Sequence, residues 1–239
     1  MEGLIMELSE KVVLVTGGNR GLGKAFVEEL LNLGVKKVYL GSRKLVAVDD
    51  SRVVPVQLDV TNADDIQRIV EELTDLSMII NNAGIREETT IESSDAEATV
   101  DRAFTTNVLG TLAVTKAALP ALVRNKGIVV NILSVGSWMN TGINLAYGIS
   151  KAAELSLTNN LRAALNPKGV QVVAVHAGFI DTDMMKGFNG EKLSPNEVAR
   201  ITLEDTFNGK QEVLVDQMAK NAKQFSAAAV PDFDVSQVN

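Results

Sequence analysis

Lys11-Val-Val-Leu-Val-Thr16-Gly17-Gly-Asn19-Arg20-Gly21-Leu22-Gly23-Lys24-Ala-Phe26-Val-Glu-Glu-Leu30-Leu decides the fold of this chain. An apolar run of strand length enters a glycine turn, and the turn opens a helix whose Leu22, Phe26, Leu30 and Leu33 recur on one face until Gly34 ends it. Glycines let the backbone turn tightly and come close to a ligand. The unpaired amides and positive dipole of the helix start then favour an anion, a pyrophosphate above all. The glycines read T-G-x-x-x-G-x-G through Gly17, Gly21 and Gly23, a spacing different from the G-x-G-x-x-G of many dinucleotide sites.

Outward from that unit the chain alternates strand and helix. Strands are expected near 11 to 16, 37 to 41, 53 to 58, 76 to 81, 127 to 133, 170 to 176 and 211 to 216. Continuous apolar runs such as Ile128-Val-Val-Asn-Ile-Leu133 and Val170-Gln-Val-Val-Ala-Val175 suit parallel strands covered on both faces. The pattern predicts an α/β fold, a Rossmann-type doubly wound sheet of about seven parallel strands with helices on both faces. No internal repeat or linker divides it, so residues 1–239 are expected to form a single domain. The tail from about 223, with Phe225-Ser-Ala-Ala-Ala-Val-Pro-Asp-Phe-Asp, lacks periodicity and is expected to fray or drape on a neighbour.

The chemistry concentrates at Tyr147-Gly-Ile-Ser-Lys151, with Ser134 thirteen residues before the tyrosine. Residues four apart share a helix face, so the phenol and the ammonium can meet. A free tyrosine titrates near about 10 and is a poor acid or base at neutral pH, and a neighbouring cation is the remedy.

T-G-x-x-x-G-x-G, Asn81-Asn-Ala-Gly84, Asn107, Ser134 and Tyr147-x-x-x-Lys151 occur in one chain in one order, over about Lys11 to residue 222. This ordered set resembles the short-chain dehydrogenase/reductase family in its standard-length branch, and within it the NADPH-dependent carbonyl reductases. The resemblance implies hydride transfer from a reduced nicotinamide to a carbonyl carbon while Tyr147 delivers a proton to the oxygen. Ser134 would bond that oxygen as charge develops on it. Lys151 would lower the tyrosine pKa and bond the nicotinamide ribose, Tyr147 would also contact the cofactor, and Asn107 would hold a water leading from Lys151 to solvent.

Cofactor contacts follow in the same way. Gly17, Asn19, Arg20, Gly21, Leu22 and Gly23 form the turn; Asp59 and Val60 match the position that meets the adenine; Asn81, Ala83 and Gly84 would lie against a ribose; Gly178, Ile180 and Thr182 match the stretch beside the nicotinamide. The family usually has Pro-Gly where this chain has Ala177-Gly178, which removes rigidity but no hydrogen-bonding side chain. The second expected strand ends in Tyr39-Leu-Gly-Ser42-Arg43-Lys44, without the acid that commonly holds a ribose 2'-hydroxyl. Arg43, the Ser42 hydroxyl and Arg20 could instead hold a 2'-phosphate, so NADPH is the expected cofactor. Trp138, Ile143, Met184, Met185 and Phe188 are expected to line an apolar substrate pocket, suited to a small or medium hydrophobic aldehyde or ketone. A 3-oxoacyl thioester is the alternative substrate, and a catalytically silent nucleotide-binding sensor or scaffold the alternative class. Epimerase chemistry on a sugar nucleotide would need a larger segment after the sixth strand. His176, the single histidine, is read as structural, and with no cysteine there is no case for a metal site.

The net charge of −7 and the lack of a basic stripe argue against a nucleic-acid partner. No run reaches the roughly 18 apolar residues of a membrane span, and Met1-Glu-Gly-Leu-Ile-Met-Glu-Leu8 has acids where a secretory leader has a basic start. The expected setting is cytoplasmic, with a small-molecule partner and no membrane. Helices over about 101 to 124 and 147 to 165, the first bearing Leu109, Leu112, Val114 and Leu119, correspond to the family's subunit contacts and imply a homo-oligomer, a tetramer before a dimer.

Overall fold

In the computed structural model of the chain, residues 8–139 and 142–227 are described, without the side chains of 70–72 and 227. Seven strands, β1 Val12–Thr16, β2 Lys37–Ser42, β3 Val53–Gln57, β4 Met78–Asn81, β5 Ile128–Ile132, β6 Gln171–His176 and β7 Glu212–Leu214, form one sheet in the order β3-β2-β1-β4-β5-β6-β7. Every pairing is parallel, as in Val13↔Val38 and Val13↔Met78 on either side of β1. All seven expected strands are present. The chain order reverses between β1 and β4, and in open parallel sheets ligands settle outside the carboxyl ends of the strands at such a reversal.

Side-chain alternation explains why both faces are covered. Val13 and Val15 of β1, with Val130 and Val173, meet Phe26 and Leu30 of helix α1 (Gly21–Asn32) and Val198 and Leu203 of a later helix, Pro195–Phe207. Val12 and Leu14 point the other way and join Val129 and Val172 under Val114 and Leu122. Burying each such side chain is worth about 1.5–3 kcal/mol, and the β-branched valines suit the pleated strand as well. That second face is served by α2 (Ala63–Glu72), α4 (Gly110–Arg124) and α5 (Leu145–Leu165).

The helix expected from about 101 begins at Ala96. Helix α3 (Ala96–Phe104) runs through a π-helical turn, Thr105–Leu109, into α4, and Asn107 sits in that turn. The whole run Ala96–Arg124 is 29 residues long and apolar enough by composition to cross a membrane, contrary to the expectation that no segment is; half of its apolar window is buried within the fold. The helix Pro195–Phe207 is α6, and α7 spans Gln217–Ala227, so residues 223–227 of the expected tail are helical; the remainder of that tail lies outside the described residues.

Candidate active site

At the end of β1 the turn is shaped by what its glycines lack. A Cβ on Gly23 would drive into the carbonyl oxygen of Gly17, and Gly17 and Gly21 hold φ of 66° and 52°. Asn19 and Arg20 stand exposed at the tip, whereas Leu22 turns into the core and can offer a ligand only its backbone. Helix α1 starts without a side-chain cap and without an acid in its first turn, so its free amides and dipole face outward uncompensated. This cradle fits a pyrophosphate. Two residues outside the expected set hold it to β4: Thr16 Oγ1 accepts from the amides of Asn82 and Ala83, both at 3.0 Å, and Asn82 Nδ2 donates to Thr16 O at 2.9 Å.

Several expected contacts take other roles. The Asn81 side chain turns into the sheet, where Nδ2 donates to Asn131 Oδ1 at 2.8 Å and to Thr115 Oγ1 at 3.0 Å, leaving Asn82 at the turn itself. The Ser42 hydroxyl donates to Lys44 O at 2.7 Å and so spends its proton on the local turn; Arg43 beside it is exposed. Arg20 leans on Asp183 at 3.4 Å, an exposed pair between the glycine turn and the segment after β6. Asp59 takes Thr61 N and Thr61 Oγ1 on one oxygen, and Val60 is buried against Gly110, where a Cβ would stand 2.8 Å from Val60 Cγ2. Gly84 leaves room for Asn107, whose Oδ1 lies 3.2 Å from the place of the missing Cβ.

Tyr147 lies in the first turn of α5, half-buried, with Lys151 one turn on. Lys151 Nζ is 5.8 Å from the centre of the phenol ring. Across from the ring is Ser134, just past β5: a Cβ on Gly136 would be 3.5 Å from both Ser134 Oγ and Tyr147 Cε1, so glycine keeps the space between them open. The start of α5 is tied to the chain after β4 by Leu145 N to Thr89 O at 2.8 Å. The Asn107 side chain is fully engaged: its Nδ2 donates to Ile85 O at 3.0 Å and Ser150 Oγ at 2.9 Å, and its Oδ1 accepts from Ile85 N at 2.9 Å. It clamps the loop after β4 to α5, and Ser150 passes the link to Tyr147 O at 2.8 Å.

Lys151 is buried, at 6% exposure, and its Nζ donates to Ile132 O and to Glu154 Oε2, each at 2.7 Å. Burial pulls the ammonium down, but Glu154 and the Tyr147 phenol more than reverse it, so its pKa stands above the ordinary lysine range. Burial pushes the Glu154 carboxyl upward against the pull of Lys151 and Thr111. The ammonium in contact at 2.7 Å opposes that rise and favours the charged form of both partners. Glu154 was missed from sequence, although an acid three residues after the lysine on one helix face was a usable sign.

His176 is fully buried at the end of β6. Nδ1 lies 3.2 Å from Ser134 O, and the ring stacks on Trp138 at 3.9 Å. Burial lowers its pKa to about 4, so the neutral ring donates from Nδ1 to the Ser134 carbonyl. Trp138 therefore gives one face to packing. Phe188 likewise stacks on Phe179 at 4.2 Å, and Met185 is buried; of the expected pocket residues, Ile143 and Met184 are the exposed ones. The segment after β6 closes on itself through an Ile180↔Leu193 bridge and a Lys192–Asp181 pair at 2.6 Å, and Thr182 Cγ2 approaches Gly21. Gly178 N donates to Asp216 Oδ2 at 3.1 Å, and Asp216 Oδ1 also accepts from Ala219 N in α7. That anchor stiffens the loop where the family's proline is missing.

A doubly wound parallel sheet with a glycine cradle at the β1/β4 reversal, and a phenol, an ammonium and a hydroxyl gathered across from it, is the layout of a dinucleotide-binding α/β enzyme. The short chain dehydrogenase family model matches residues 11–193, and the chain belongs to that family; it is an oxidoreductase. A short chain dehydrogenase from Burkholderia cenocepacia, solved in complex with NADP, is 36% identical, with a TM-score of 0.87 over 92% of this chain and 94% of that one. The NADPH-bound carbonyl reductase from chicken fatty liver is 27% identical, with a TM-score of 0.75 over 83% and 91%. A 3-oxoacyl-[acyl-carrier-protein] reductase of Synechocystis is 31% identical over 78% of this chain and 81% of its own length.

Proposed function

We propose that the protein is an NADPH-dependent reductase that converts a small or medium hydrophobic aldehyde or ketone to the alcohol. One observation carries the reading: Tyr147, with Lys151 Nζ 5.8 Å from its ring, faces Ser134 Oγ across the gap left by Gly136. A bound reduced nicotinamide supplies the hydride. Tyr147 donates its phenolic proton to the carbonyl oxygen, Ser134 stabilises that oxygen by donating a hydrogen bond, and Lys151 holds positive charge beside the phenol. For Ser134 to donate, its Oγ keeps its proton free, which agrees with its accepting from Gly136 N at 3.1 Å.

NADPH, in place of NADH, is supported by Arg43 and Arg20 around a β2 end that carries no acid, and by the NADP and NADPH of the two similar structures. The Synechocystis relative supports a second substrate class, a 3-oxoacyl thioester. A homo-oligomer is part of the same proposal, since Leu109, Leu112 and Ile149 are exposed on the outer faces of the Asn107 turn, α4 and α5. The test is the initial rate of NADPH and of NADH oxidation over aromatic, aliphatic and cyclic carbonyls and a 3-oxoacyl thioester, with Tyr147→Phe alongside. Tyrosine-dependent turnover preferring NADPH is expected. Tight NADPH binding without turnover on any of them would instead indicate a nucleotide sensor.

A further inference from the structure

Glu154 has no part in the chemistry just described, yet it is among the most deeply buried charges in the molecule. It lies three residues beyond Lys151 on α5 at 2% exposure. Its Oε2 is 2.7 Å from Lys151 Nζ, and its Oε1 accepts from Thr111 Oγ1 of α4 at 3.2 Å. Its backbone oxygen accepts from Thr158 Oγ1, which accepts in turn from Asn131 Nδ2; Asn131 Oδ1 is the acceptor for Asn81. A carboxylate in such a place is costly unless it is paired and hydrogen-bonded, and this one is both.

We propose that Glu154 is a positioning residue for the reaction, acting through Lys151: it pins the ammonium and holds the protons on the Tyr147–Lys151 pair, extending to higher pH the range in which Tyr147 serves as an acid. Three donors leave an ammonium. Ile132 O and Glu154 take two, so one donor is left over on an ammonium whose Nζ lies 5.8 Å from the Tyr147 ring centre. The charge balance gives the direction. With both protons in place, Tyr147, Lys151 and Glu154 together are neutral, and losing a proton leaves a buried net negative charge. Without the carboxylate the same loss would take the group from positive to neutral. The first proton is therefore held more firmly when Glu154 is present, whichever member of the coupled pair releases it. The titratable groups facing Lys151 are Tyr147 and Glu154 on its own helix and His176 from β6; Thr111, from α4, does not titrate. His176 is neutral above about pH 4, so among the described residues Glu154 supplies the facing negative charge.

The kinetic arm of the test rests on the reductase proposal; the spectroscopic arm does not. Glu154→Gln keeps the shape and removes the charge, and Glu154→Asp keeps the charge and draws it back from Nζ. The first measurement is the alkaline rise in tyrosinate absorbance that Tyr147→Phe abolishes, readily assigned because the chain has two tyrosines. The second is the basic limb of the pH profile of kcat/KM for NADPH-driven carbonyl reduction. Both are expected to move to lower pH in Glu154→Gln, by at least about one pH unit, since a facing negative charge within a few ångströms of Nζ is lost. Glu154→Asp should show a smaller displacement in the same direction. A folded Glu154→Gln protein whose tyrosinate rise is unmoved, or moves to higher pH, overturns the proposal. Should that variant not fold, the Asp variant decides, and its coincidence with the wild type overturns the proposal. If the wild type turns over no carbonyl, the reductase reading falls while the absorbance titration still decides Glu154.

Discussion

The glycine turn after β1 and the Tyr147 helix stand at the same edge of the sheet but are built by opposite means. The turn works through missing atoms: Gly23 leaves room for a carbonyl, Gly17 and Gly21 supply left-handed backbone, and an uncapped helix start presents bare amides. Its glycines lie within eight residues, Thr16 to Gly23, and one long-range partner, the Asn82 segment, pins the turn to β4. The Tyr147 side works through polar atoms brought from far along the chain. Asn107 reaches Ser150 over 43 positions, Thr111 reaches Glu154 over 43, and His176 reaches Ser134 over 42. A binding cradle made of backbone tolerates no added bulk, whereas a proton-transfer centre made of buried side chains is sensitive to charge.

That contrast can be broken by perturbations whose effects should separate. The largest effect is expected from Tyr147→Phe, which should lower turnover by about 10²- to 10⁴-fold while leaving NADPH affinity, read by fluorescence titration, unchanged. A comparable loss of affinity would mean that the two regions are not separable. Acid comes next. Burial depresses the folded pKa of His176 to about 4, below its unfolded value near about 6.5. Its neutral form thus stabilises the fold fully above about pH 6.5, and that contribution drains away as pH falls towards about 4, an effect of a few kcal/mol. Urea denaturation between these limits should show it, and His176→Asn should flatten the slope.

On the other side, Gly23→Ala should cost about 1–3 kcal/mol of stability through overpacking, read as a lower midpoint in urea, and should weaken NADPH binding. An alanine that binds NADPH as the wild type does would refute the backbone account of the cradle. The smallest effect is expected from Arg43→Asp, which should shift the ratio of kcat/KM for NADPH over NADH by about tenfold towards NADH, the worth of roughly one charge-assisted hydrogen bond. With the Ser42 proton committed to Lys44 O, Arg43 and Arg20 are the groups to which the proposal assigns that preference, and an unchanged ratio would remove Arg43 from it.

The same contrast explains what was legible. The inner strands could be read because a strand buried on both faces must be apolar throughout, and that pattern is local; the edge strands β3 and β7 are only partly buried and followed from the alternation with helices. The glycine turn and the Tyr147–Lys151 spacing were legible because they too are local, and Ser134 through the resemblance that the ordered motifs carry. The π-helical turn at Asn107 was not, since no residue in Thr105–Leu109 announces an extra residue per turn. Nor was the inward direction of Asn81, because its partners Thr115 and Asn131 lie 34 and 50 positions away. Trp138 and Phe188, expected in the pocket wall from the segments in which they fall, each also lie against an aromatic ring, His176 and Phe179, that the sequence did not pair with them.

By itself, then, the sequence determined the parallel α/β sheet, the place of the glycine cradle and the Tyr147–Lys151 pairing, because periodicity, glycine and helical spacing act over a few residues. Only the tertiary structure decided which polar side chains face the reaction and which hold the walls. Asn107, Asn81 and Glu154 are all polar residues in helix or strand, and nothing local separates them. Burial made each of them find a partner, and the partners were supplied by the packing of α4 and α5 on the sheet.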